Sequence, residues 1–175
     1  MAVLRIQINT GSSFLVRRLK RSACEVAEVS AFIAAKLRSP LVSCSRCPEG
    51  YHPQETICFS PWAADGTTLA IMVQLLEGRI LDPKHFAFLE VCAVAQYLLL
   101  LEDYLTPNLL PYMSDEDTCN NPSTLKGIEL LYVTGYQSLA KHLYILACSH
   151  ISPQTMQTSY ELFPDLFRET DFFWD

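Results

Sequence analysis

Leu4, Ile6 and Ile8 alternate with Arg5 and Gln7, the period of a half-buried strand. Asn9-Thr10-Gly11-Ser12 supplies a turn, and Phe14-Leu15-Val16 resumes the extended pattern, so the chain is predicted to open with a hairpin. From Ser22 to Leu37 the spacing lengthens to three and four, placing Val26, Val29, Ile33 and Leu37 on one helical face. Residues 39–54 are rich in Ser, Pro and Cys and read as a long loop, and Thr56-Ile57-Cys58-Phe59 as a short strand closed by Pro61. Next comes a helix capped by Asp65 or Thr67, with Leu69, Met72, Val73, Leu76 and Ile80 as its buried stripe and Gly78 near its end.

A second helix is predicted after Asp82-Pro83, carrying Phe86, Leu89, Ala93 and Tyr97. Leu98 to Leu101 is apolar on every side and suggests a helix wedged in the interior, with both Leu98 and Leu101 buried. The pattern stays helical from Glu102 to Met113, with Pro107 tolerated in the first turn of a new helix. Residues 115–123 form a polar linker, which divides the chain into a domain over 1–114 and a helical extension over 124–175. Helices are expected around 124–134 and 137–149, and the tail from Ser152 to Asp175 is acidic and aromatic.

Half the residues are hydrophobic and 18% are charged, so the 175-residue chain can fill a core without metal or disulfides. The net charge of −6 is uneven: residues 1–46 hold eight of the 13 basic side chains and only Glu25 and Glu28 as acids. The Arg17-Arg18-Leu19-Lys20-Arg21 cluster could touch a phosphate backbone, but a solvated turn beside the hairpin is the preferred reading, and nucleic acid is not expected as a partner. No run reaches the ~20 apolar residues of a membrane span, and the first ten residues lack the order of a secretory signal. The seven cysteines then read as reduced thiols of the cytosol or nucleus, with Cys92 and Cys148 as small core hydrophobes.

Four stretches carry a family resemblance. They are the hairpin from Leu4 to Val16, the helix Ser30-Ala-Phe-Ile33-Ala-Ala-Lys-Leu37, the helix end Leu75-Leu-Glu77-Gly78-Arg-Ile80, and Ala93-Val-Ala-Gln-Tyr97-Leu98. In this order they resemble the BTB/POZ fold in its wide sense, which includes adaptors of cullin ubiquitin ligases. The likeness covers about residues 3–113, and 124–149 resembles the paired helices that follow this domain in many fungal members. The resemblance implies an α+β fold, a helical cluster flanked by a three-stranded sheet. It also implies a protein-interaction module acting as a cullin adaptor or homodimer, with the helices of about 67–113 as the docking face and the hairpin aiding self-association. Leu75 and Glu77 fit the hydrophobic-x-Glu pattern of a cullin-contacting element. The chain departs from the family in about six extra residues between Phe14 and Ser30, in Arg17 where many members have His, and in the long loop at 39–54.

Catalytic chemistry finds little footing. His52, His85, His142 and His150 sit beside no nucleophile motif, and Glu102-Asp103 are adjacent rather than one helical turn apart. No catalytic residue and no cofactor is expected. The competing signal is Cys44-x2-Cys47-x4-His52-x5-Cys58, one residue longer than a zinc knuckle and able to build a thiolate-rich tetrahedral site in a small nucleic-acid-binding module. The imperfect spacing favours a loop with incidental cysteines, so no metal is assigned. Phe163 and Phe167 stand one turn apart in the tail, which ends in Phe172-Phe173-Trp174. An amphipathic segment of this kind covers apolar surface of its own chain or fills a partner's groove. Phe163, Phe167 and Trp174 therefore join Leu75 and Glu77 as candidate contact residues.

Overall fold

The computed structural model describes residues 3–10, 13–38, 56–59 and 65–162. It is an α+β protein in which a three-stranded sheet accompanies a majority of helix. The chain divides into two compact units, Met1–Leu81 with Tyr97–Tyr104, and Asp82–Gln96 with Leu105–Asp175.

In the first unit, β1 (Val3–Asn9) is the central strand, antiparallel to β2 (Phe14–Ser22) and parallel to β3 (Thr56–Phe59). The alternation of Leu4, Ile6 and Ile8 puts all three fully inside. Ile8 faces Leu15 on one side and Phe59 on the other. The basic cluster, expected as a solvated turn, is instead part of β2. Leu15, Arg17 and Leu19 share the strand's inner face, and burial of Leu19 holds the cations in extended backbone.

The single helix expected from Ser22 is two, α1 (Ala23–Val29) and α2 (Ala31–Arg38). A capping box starts the first, in which Ser22 accepts from the Glu25 amide while the Glu25 carboxylate accepts from the Ser22 amide. The break falls at Ser30, whose extended backbone bridges to Leu100. Its hydroxyl donates to the Leu98 carbonyl at 2.6 Å and accepts from the Ile33 amide at 3.2 Å. Ala31 and Leu101 amides donate to the Leu99 and Val29 carbonyls, which completes a clasp around the break.

That clasp corrects the reading of the leucine run. Residues 98–101 are not a wedged helix, because their backbone amides and carbonyls bond across to residues 29–31. Leu98 is 0% exposed and Leu101 is 52% exposed, with Leu100 buried and Leu99 outside at φ +48°. Phe32 of α2, Phe59 of β3 and Tyr97 close the same core as a ring triangle with centroids 5.3–6.1 Å apart.

Helix α3 (Gly66–Leu76) is capped by the Asp65 carboxylate, which accepts from the Thr68 amide at 2.7 Å. It stops before Gly78, which takes φ +71°. Ile80 therefore leaves the helical stripe and is exposed, while Leu69, Met72, Leu75 and Leu76 stay buried.

The second unit is helical. On α4 (Phe88–Tyr97) Phe88, Val91, Cys92 and Ala95 are buried, while Phe86 just before it and Leu89, Ala93 and Tyr97 on it are half-buried. Helix α5 (Glu102–Leu109) runs through Pro107 and tightens into a 3-10 turn at Leu110–Ser114. Within residues 115–123 lies a short turn of helix, α6 (Glu116–Cys119), whose Cys119 is buried. Then follow α7 (Pro122–Val133), α8 (Gln137–Cys148) and α9 (Pro153–Leu162). Gly127 brings α7 directly onto the Phe88 ring, and the Asn120 side chain ties the chain ahead of α9 by bonding the His150 carbonyl and the Ser152 amide.

Candidate functional site

Where β2 meets α3 the chain forms a half-open groove of about 250 Å³. Strand alternation aims Leu15 and Arg17 at it from β2. From α3, Leu69, Ala70 and Val73 present one face, since they fall within one turn of each other. Arg79, just beyond the helix, closes one end. The floor is aliphatic and the rim cationic.

The end at Arg79 is built by a set of carboxylate, guanidinium and phenol contacts. One Glu77 oxygen accepts from the Lys20 backbone amide at 2.9 Å, and the other lies 2.6 Å from the Arg79 guanidinium, an ion pair without hydrogen-bond geometry. Behind them, Arg21 donates to the Leu76 carbonyl and to the Tyr104 hydroxyl, which itself donates to the Leu75 carbonyl at 2.6 Å. Burial raises the Tyr104 pKa against the pull of Arg21, so the phenol stays a donor. These bonds satisfy the carbonyls that a helix end leaves open. Gly78 permits them, because a Cβ there would stand 3.1 Å from the Tyr104 oxygen.

Comparison with family models, with curated proteins and with solved structures returns no match. The site therefore has to be read from its own chemistry.

The candidate contact residues are placed unequally. Leu75 is fully buried, and the Glu77 side chain is only 4% exposed, engaged with Lys20 and Arg79. Both serve the chain's own helix end, and neither offers a surface in this structure. Phe163, Phe167 and Trp174 lie outside the described residues, as do Cys44, Cys47 and His52. Cys58 lies on the opposite face of β3 from the buried Ile57 and Phe59 and is half-buried. Among the described residues no three His, Cys, Asp or Glu side chains gather as a metal site would need.

Several other reactive groups are buried or paired. Burial pushes the thiols of Cys92, Cys119 and Cys148 up, and it raises the Tyr112 phenol, which donates to the Phe86 carbonyl. His85 sits 2.9 Å from Asp82, whose carboxyl is held below its usual range by the Lys84 amide and His85. In the second unit, His142 and His150 border an open groove with Leu110, Met113 and Leu146.

Sequence reasoning missed the β2–α3 groove. Its signal was present in the inward alternation of Leu15, Arg17 and Leu19, but the neighbouring cations hid it.

Proposed function

We propose that the chain is a non-catalytic protein-interaction module of the BTB/POZ kind, serving as an adaptor for a cullin-type ubiquitin ligase or as a self-associating scaffold. The observation that carries the reading is the element order. A hairpin, two short helices and a strand parallel to β1 precede α3, α4 and α5, and the α7–α8 pair follows them in the chain. Neutral, buried thiols and phenols favour a structural rather than a nucleophilic role for those side chains.

Such a module acts by burying surface, about 800 Å² per partner in a stable complex. The first unit keeps Val16, Ile80, Leu99 and Leu101 exposed, apolar area that a partner can cover. Among the described residues no helix is long and apolar enough to cross a membrane.

The test combines light scattering across a concentration series with calorimetric titration against a purified cullin N-terminal domain. A dimer, or saturable heat with the cullin, supports the proposal, and Leu101→Asp should weaken whichever contact is found. A monomer throughout with no cullin heat refutes it.

A further inference from the structure

We propose that an extended acidic peptide docks along the outer edge of β2, laying alternate side chains into the groove between that strand and α3. The inference rests on the reading of the chain as a binding module, and it names the chemistry of one partner.

The sheet order β2-β1-β3 leaves β2 at an edge, with β1 as its one strand neighbour among the described residues. An unpaired strand edge is a template for another extended chain, and a groove alongside it supplies the side-chain specificity; the Lys20 amide is already taken by Glu77, so the docking stretch of β2 is the part before it. This groove has room for one or two side chains, on a floor of Leu15, Leu69, Ala70 and Val73.

Charge selects the peptide. Arg17, Arg18 and Lys20 are all exposed along the strand. Two acids beside lining residues of the groove are already engaged, Glu77 with Arg79 and the Lys20 amide, and Asp65, next to Gly66, with the Thr68 amide. Glu77 is also an internal example of the recognition proposed: a carboxylate that accepts from a β2 backbone amide while pairing with an arginine. A second copy of this edge would set like charges opposite one another, which is unfavourable. Nucleic acid fits less well, because among the described residues the groove lining holds no ring on which a base could stack.

The experiment is fluorescence polarisation of the full chain with a short labelled peptide alternating glutamate with leucine. A lysine–leucine counterpart and a labelled single-stranded oligonucleotide serve as the other arms. Saturable binding of the acidic peptide alone is expected, weakening as salt rises from about 0.05 M to about 0.5 M. Arg17→Glu removes the rim charge and Ala70→Phe fills the floor, and each should weaken binding about tenfold or more. Lys126→Glu, an exposed cation on α7, should leave binding unchanged. Unaltered circular dichroism in each variant assigns the loss to the groove.

Absence of saturable binding overturns the proposal, as does equal loss in Arg17→Glu and Lys126→Glu. Tighter binding of the oligonucleotide that is lost in Arg17→Glu overturns it in favour of a phosphate-backbone contact. If the peptide fails while self-association or cullin binding holds, this inference falls and the module reading stands. If all fail, both fall.

Discussion

Gly127 tests the packing of the second unit with two opposed effects of known size. Glycine inside a helix costs about 1 kcal/mol relative to alanine, so Gly127→Ala on propensity alone would stabilise α7. The contacts argue the other way. A Cβ at 127 would stand 2.7 and 2.8 Å from two carbons of the Phe88 ring and 3.4 Å from the Cys92 sulfur. The ring has nowhere to retreat, being buried and edge-on to Tyr112 with centroids 5.4 Å apart, and the Tyr112 hydroxyl is itself tethered to the Phe86 carbonyl. Overpacking of this kind costs about 1–3 kcal/mol, and an approach this close belongs in the upper part of that range. Set against the propensity gain, the expected net loss is about 1–2 kcal/mol. Urea denaturation of wild type, Gly127→Ala, Phe88→Leu and the double variant measures it as a cycle. With the ring gone, alanine at 127 should be neutral or stabilising, giving a coupling of about 1 kcal/mol or more. A stabilised Gly127→Ala on the wild-type background, or the same change in both backgrounds, would refute the close contact.

In the first unit, Leu98→Ala should cost about 2–5 kcal/mol while Leu101→Ala stays within about 0.5 kcal/mol, measured by denaturant melts; equal costs would mean that the alternation through the leucine run is wrong. Asp65→Ala should cost about 1 kcal/mol through the lost cap. Glu25, Asp65 and Asp115 all have folded pKa values below their unfolded ones, each through hydrogen bonds at a helix start. Their contribution is present above pH of about 4–5 and is lost as pH falls through the folded values, so melting temperature should drop on acidification from about pH 5. Mass-mapped alkylation should label the exposed Cys24 well before the buried Cys92, and the reverse order would contradict the buried thiol. EDTA with a thiol-selective chelator should leave the cooperative melt unchanged; its loss would move the Cys44–Cys47–His52–Cys58 reading to the front.

Elements whose polar positions expose the period were legible in advance. The alternation around Arg5 and Gln7 marks β1, and Asp65 with Gly78 brackets α3. The leucine run was misread because four identical apolar residues carry no period, so only the bridge to residues 29–31 reveals that every second one is outside. The break at Ser30 was hidden from the periodicity because Val26 and Ile33 continue one helical face straight through it. The groove was half legible, its β2 wall in the alternation of Leu15, Arg17 and Leu19 and its closure nowhere local. Arg17 and Arg79 meet at its rim only through tertiary folding, and nothing local to either residue names the other.

The clasp at Ser30 has a consequence for how the protein is made. The first compact unit is not a continuous stretch of chain: residues 97–104 are stitched into it across the clasp and the Arg21–Tyr104–Leu75 contacts. During synthesis the amino-terminal portion leaves the ribosome without them, and at ~5–20 residues per second it waits for them on the order of seconds. A recombinant fragment ended at Leu81 would reproduce that unfinished state permanently, with the Ser30 hydroxyl deprived of the Leu98 carbonyl and the Arg21 guanidinium of the Tyr104 hydroxyl. A cut that follows the numbering would divide what the hydrogen bonds join.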